Sequence, residues 1–150
     1  MKLVQAQDIM TSPVETISSE ASLAAAAALM ISGSLRCLPV IGGDGSLVGV
    51  ITSNDFSVHP SPLPMGAQHL YSILGQWTSK EGVEEEYRKA ASREVKDIMS
   101  KPVVTVMENA TMAEIADKML RYRVHHLPVL RGWQVVGLIS AHDFMKLVVA

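Results

Sequence analysis

GVITSNDF at residues 49–56 returns at residues 137–144 as GLISAHDF. In each copy an aliphatic run leads to a hydroxyl, and a carboxylate follows three positions later: Thr52 with Asp55, Ser140 with Asp143. A strand that passes into a helix carrying its own cap has this pattern, with Asp where a capping box ordinarily has Glu or Gln. Two readings follow from the duplication. One is a structural unit that repeats its helix cap; the other is a unit that repeats a binding site.

Working outward, the duplication extends over most of the chain. Asp8-Ile9-Met10 recurs as Asp97-Ile98-Met99, an offset of 89, and Leu38-Pro39-Val40 recurs as Leu127-Pro128-Val129 at the same offset. Gly49 and Asp55 match Gly137 and Asp143 at an offset of 88, because the turn IGGDG at 41–45 is one residue longer than its counterpart near RGW. Internal repeats organise a fold before any local assignment does. The expected division is a first repeat at 1–58, a partly helical insert at 59–92 and a second repeat at 93–150.

Each repeat reads as strand, helix, strand, strand, helix, an α+β pattern. A DIM turn and a proline (Pro13, Pro102) lead into VETI or VVTV, brief strands by their β-branched content. A polar cap, Ser19 or Asn109, is expected to open the next helix. In the second repeat Met112, Ile115, Ala116, Met119 and Leu120 fall on one helical face, whereas the first uses LAAAAALM. CLPVI or HLPVL then pairs through a Gly-containing turn with LVGVIT or VVGLIS. Proline cannot donate to a ladder, so Pro39 and Pro128 should lie on an edge or at a bulge, leaving nearby backbone groups to a ligand.

Composition narrows the function. The chain has 150 residues, 48% apolar, with mean hydropathy +0.22, enough for a sizeable core. Thirteen basic against fifteen acidic residues give a net charge of −2, which argues against a nucleic-acid surface. Cys37 is the single cysteine, so no internal disulfide or multi-thiolate metal site can form. The opening MKLVQAQDIM lacks the apolar run of a signal peptide, and the apolar stretch ASLAAAAALMI at 21–31 has about half the length of a bilayer span. A cytoplasmic protein without membrane insertion is expected.

The order DIM, V-x-T-[IV], helix, LPV and G-[VL]-I-[TS]-x-x-D-F resembles the cystathionine β-synthase (CBS) domain, and two in tandem resemble the CBS pair called a Bateman module. The resemblance covers both repeats. It implies two pseudo-twofold-related repeats packed sheet to sheet, with clefts that take adenine nucleotides such as AMP, ADP or ATP, or related adenosyl compounds. It further implies a regulatory sensor, not an enzyme, that pairs into a homodimer and needs no obligatory cofactor. The bound state would pass to an effector protein or to the module's own assembly, since no effector domain is read after the second repeat.

Residue by residue, the resemblance gives Asp55 and Asp143 the ribose hydroxyls, and Thr52 and Ser140 the phosphate at a helix N-terminus, a natural anion site. The adenine would lie between Thr16-Ile17 and Leu38-Pro39, or between Thr105-Val106 and Leu127-Pro128, held mainly by backbone. Cations for a phosphate are Arg36 in the first repeat and Arg121, Arg123, His125 and His126 in the second; if one cleft alone takes a phosphorylated ligand, the cleft at Ser140 and Asp143 is expected.

Other chemistries are poorly supported. His125 and His126, adjacent on a strand, point to opposite faces, and His142 is the remaining candidate, so a metal site is not expected. No nucleophile elbow, P-loop or HExxH motif is present. The alternative to a sensor is a ligand-free CBS pair acting as a dimerisation or docking module. In the insert, HPSPLPMG is an extended connector, and Leu70, Ile73, Leu74 and Trp77 give one helical stripe, with Tyr87 and Ala91 on another. That stripe is expected to pack on the module or across a dimer, the alternative being a mobile flap or a partner-docking element.

Overall fold

The computed structural model describes residues 2–56 and 80–149. Within them the chain forms two compact units, one of Thr16–Pro102 and the other of Met1–Glu15 together with Val103–Ala150. Each carries a three-stranded sheet and its own hydrophobic core, as the α+β reading requires.

In the first unit, β1 (Ile17–Ser18) pairs in parallel with β2 (Cys37–Ile41) through α2 (Leu23–Ser32), and β2 pairs antiparallel with β3 (Leu47–Thr52). A 3₁₀ turn, Ser53–Phe56, follows β3 directly. The second unit opens with α1 (Ala6–Ile9) and repeats the plan with β4 (Val106–Met107), α4 (Met112–Tyr122), β5 (His126–Arg131), β6 (Gln134–Ser140) and α5 (Ala141–Val149). The helix α3 (Lys80–Ala90) and a 3₁₀ turn at Val95–Asp97 complete the first unit.

Sequence duplication and spatial unit divide the chain differently. The repeats 1–58 and 93–150 each begin with their own DIM segment, yet Met10 packs on Gly137 and Met99 on Gly49. A Cβ on Gly49 would stand 2.5 Å from Met99 Sδ and 3.1 Å from the Ser100 carbonyl; on Gly137 it would overlap Met10 Sδ. Only a residue without a side chain admits the methionine here. The backbone follows the same pairing: Thr11 N donates to Leu138 O and Leu138 N to Thr11 O at 2.9 and 3.1 Å, and Val50 and Ser100 exchange equivalent bonds at 3.1 and 2.9 Å. The DIM segment thus adds a short antiparallel bridge to the glycine-bearing strand of its unit.

The cores explain the apolar pattern. Leu38, Val40 and Ile51 are fully buried with Leu23, Ala26 and Met30 of α2; Leu127, Val129, Ile139 and Ile115 fill the second core. Leu120, expected on the buried face of α4, is 81% exposed, so that face ends at Met119.

The helix caps also differ from expectation. Ser19 continues the ladder through its N–H to Ile41 O, and Asn109 lies in the turn ahead of Ala110. The caps are Ser22, whose Oγ accepts from Ala25 N at 3.0 Å, and Thr111, which forms a reciprocal box with Glu114. The expected strands VETI and VVTV shorten to two residues that begin at Ile17 and Val106.

Pro39 and Pro128 occupy the middle strand of each sheet and not its edge. The missing donor is tolerated because pairing with β1 begins only at Val40, and with β4 only at Val129, each next to a bulge.

Leu70, Ile73, Leu74 and Trp77 lie outside the described residues. The end of the insert docks on the first unit: Tyr87 Oη donates to Phe56 O at 2.7 Å, and Ala90 is buried. Leu23 N and Ala24 N, two of the unpaired donors at the start of α2, donate to Arg93 O and Ala91 O at 2.7 and 3.0 Å.

Candidate functional site

In the first unit, β3 delivers Thr52 to the sheet end where the 3₁₀ turn begins, and Asp55 folds back beneath it. Asp55 is 3% exposed; its Oδ2 accepts from Thr52 N at 2.7 Å and from Thr52 Oγ1 at 3.4 Å. Cys37 stands opposite Thr52 across β2 and β3. Burial, reinforced by the Asp55 charge, pushes its thiol up to about 12, so Cys37 stays neutral and unreactive. Ser53 N donates to Arg36 O, which fixes Arg36 at the start of the same turn with its side chain exposed.

Thr16 and Ile17 precede and enter β1, and Leu38 and Pro39 lie buried in β2. Ahead of Val40, no strand among the described residues pairs with the β1 side of β2. The second unit repeats this with Thr105, Val106, Leu127 and Pro128.

Asp143 is 1% exposed. Its Oδ2 accepts from Ser140 N at 2.8 Å and Ser140 Oγ at 3.5 Å; its Oδ1 accepts from Thr11 Oγ1 at 3.0 Å and Lys146 Nζ at 2.7 Å. Lys146 Nζ also donates to Ile9 O at 3.2 Å, and Lys118 Nζ donates to Thr105 O at 2.6 Å. Burying a carboxylate is costly unless partners such as these replace its water.

The cations divide. His126 pairs with Ser140, which places His125 at the sheet end where α5 begins. Arg121 instead binds Asp117 on the surface of α4 at 3.1 Å, and Arg123 forms the exposed left-handed C-cap of that helix at φ 52°. His142 lines a surface cavity of about 450 Å³ with Met145, Lys146 and Val149. Among the described residues no group of three or more His, Cys, Asp or Glu side chains could hold a metal ion, and no helix is long and apolar enough to cross a membrane.

Thr11, Lys118 and Lys146 escaped the sequence reading. Lys146 had a signal, since it follows Asp143 by three positions on one helical face. Thr11 had none, because its DIM segment reaches Asp143 across 132 residues.

The profile of the CBS domain matches residues 6–59 and 95–150, most of the chain. The chain belongs to the CBS domain family. A solved CBS domain of a CBS domain-containing membrane protein from Sphaerobacter thermophilus superimposes with TM-score 0.73 at 32% identity, covering 97% of this chain and 88% of that one. The CBS domain pair of protein MJ0100, in complex with 5′-methylthioadenosine and S-adenosyl-L-methionine, gives TM-score 0.70 at 24% identity over 98% of this chain and 97% of that one. Among curated relatives, a homoserine O-acetyltransferase from Methanosphaerula palustris is 31% identical over 143 residues, 95% of this chain and 24% of the relative. An L-aspartate semialdehyde sulfurtransferase from Methanocaldococcus jannaschii is 28% identical over 142 residues, 94% of this chain and 22% of that protein. The CBS pair thus spans about a quarter of the length of these relatives.

Proposed function

We propose that this CBS pair is a regulatory module that binds an adenosyl ligand, such as AMP, ADP, ATP or a related adenosyl compound, and passes the bound state to an effector protein or to its own assembly. The observation that carries the reading is the duplicated arrangement of Thr52-Asp55 and Ser140-Asp143. A hydroxyl and a carboxylate stand together at a sheet end in both units, on the strand next to Leu38-Pro39 or Leu127-Pro128. A hydroxyl at a helix start suits phosphate, and a carboxylate can accept from both ribose hydroxyls. Thr16, Ile17, Thr105 and Val106 supply the opposite wall for adenine, and Arg36 and His125 are the cations best placed for phosphate. The adenosyl compounds held by the MJ0100 pair support the ligand class.

Coupling to a partner is a population shift: the ligand favours whichever arrangement it binds more tightly. A homodimer in the cytoplasm is the setting we assign. The rival, a ligand-free docking module, draws on Met145, Val148 and Val149, large apolar side chains left exposed on α5.

The test is a thermal melt against AMP, ADP, ATP, NAD, 5′-methylthioadenosine and S-adenosylmethionine. At a hundred times the dissociation constant, linkage adds about 2.7 kcal/mol, which for a chain of this size raises Tm by roughly 5 to 10 °C. No shift with any of them, in protein stripped of carried-over nucleotide, overturns the sensor reading in favour of the docking module.

A further inference from the structure

The Asp143 carboxylate has a donor at each position where a ligand could bond it. Oδ2 accepts from Ser140 N at 2.8 Å and Ser140 Oγ at 3.5 Å, and Oδ1 accepts from Thr11 Oγ1 at 3.0 Å and Lys146 Nζ at 2.7 Å. An ionised carboxylate offers about four lone-pair sites, so a ribose diol enters only where a donor leaves. The donors differ in their freedom to do so. Ser140 and Thr11 are anchored by backbone pairing, Ser140 opposite His126 and Thr11 through the two bonds it exchanges with Leu138. Lys146 stands on a long flexible stem, and its side chain is half exposed.

Departure of Lys146 has a cost. Its ammonium gives up the charge-assisted bond to Asp143 and the bond to the Ile9 carbonyl at 3.2 Å. A neutral diol offers the lysine nothing in return, whereas a phosphate does. The lysine can meet one, because side chains on a helix lean towards its N-terminus. Lys146 lies on the second turn of α5, and the adenosyl reading puts phosphate at the start of that helix, beside Ser140.

We infer that Lys146 is an exchangeable counter-ion that makes the Asp143 site select phosphorylated adenosyl ligands over uncharged ones. The ribose hydroxyls take its place on Oδ1, and its ammonium moves to the phosphate. This rests on the adenosyl reading above and adds to it the charge of the ligand. Through the exchange Asp143 keeps hydrogen-bonded partners and the lysine keeps an anion.

Titration of isotope-labelled protein with AMP and with adenosine, read by NMR at the Ser140 amide, tests it; this N–H donates to Asp143 and reports on its site. Wild-type protein is expected to bind AMP more tightly than adenosine. Lys146→Met is expected to lose roughly tenfold or more of that preference, by weakening AMP and not adenosine, as removal of one charge-assisted bond requires. A lysine with a structural role alone would weaken both ligands together and leave the preference intact. That result, or equal affinities in the wild type, overturns the exchange and leaves the adenosyl reading standing. No response at Ser140 overturns the exchange, and no response there or at the Thr52 amide, which donates to Asp55, overturns the adenosyl reading as well. Should Lys146→Met not fold, acetylation of Lys146 in wild-type protein decides, because the amine is paired when AMP is bound and unpaired when adenosine is bound. Faster acetylation in the adenosine complex supports the exchange; an equal or slower rate overturns it.

Discussion

Gly49→Ala probes the docking of the DIM segment. The new methyl carbon would sit 2.5 Å from Met99 Sδ, 2.9 Å from its Cγ and 3.1 Å from the Ser100 carbonyl. The sulfur end can swing, but Met99 is 6% exposed and packed in the core, so relief requires repacking; overfilling of this kind costs about 1–3 kcal/mol. Met99→Ala alone opens a cavity and costs about 2–5 kcal/mol. In the Met99→Ala background the contacts to Sδ and Cγ are gone and only the 3.1 Å approach to the Ser100 carbonyl remains, while alanine recovers roughly 0.5–1 kcal/mol of the backbone entropy that glycine loses in a strand. The double variant should therefore be more stable than the sum of the singles by about 1–3 kcal/mol. Urea unfolding of the four proteins measures this coupling, with Gly49→Ala/Met10→Ala as an additive control. Additivity of Gly49 and Met99 within about 0.5 kcal/mol refutes the contact. Coupling of Gly49 to Met10 in its place would return each DIM segment to its own sequence repeat.

Two further outcomes follow from the caps and the cysteine. Thr111→Ala should lower stability by about 1 kcal/mol through loss of the box with Glu114, while Asn109→Ala should change it by less than about 0.5 kcal/mol; equal effects in chemical denaturation would contradict the cap assignment. Cys37 binds its proton more tightly folded, near 12, than unfolded, near 9.0, so the stability linked to this thiol is complete below pH 9 and is lost as pH rises from 9 towards 12. At pH 8 a thiol reagent should react with Cys37 only at the rate of opening, and reaction as fast as in urea would show an exposed thiol.

The repeat was legible because its landmarks are chemical necessities that survive duplication: a glycine where a methionine must enter, a hydroxyl and carboxylate that close a strand. Asp55 and Asp143 stand where Thr52-x-x-Asp55 and Ser140-x-x-Asp143 imply, since a cap three residues away is local geometry. Ser19 and Asn109 misled because both are good caps beside better ones; Thr111 wins by having Glu114 three residues on, a reciprocity no single residue displays. Pro39 reads as an edge or bulge residue because sequence reports the missing donor and not the length of the neighbouring strand; it sits in the middle strand, close to a bulge. The partners of Met10, Thr11 and Met99 were hidden for a different reason. Periodicity describes one segment, and these contacts join segments whose spacing carries no local signal.

The composition of the second unit sets an order of events during synthesis. Thr16–Pro102 is contiguous, so every group its core requires has left the ribosome before the second repeat is complete. Thr11 must wait for Asp143, 132 positions later, which at ordinary elongation rates is roughly 7 to 26 s. Through that interval the buried face of α1, Ala6 and Ile9, has no core to enter, and closure over so long a separation is slow in itself. The nascent chain thus holds one finished unit between two halves of an unfinished one, and its early segment is the part most in need of protection.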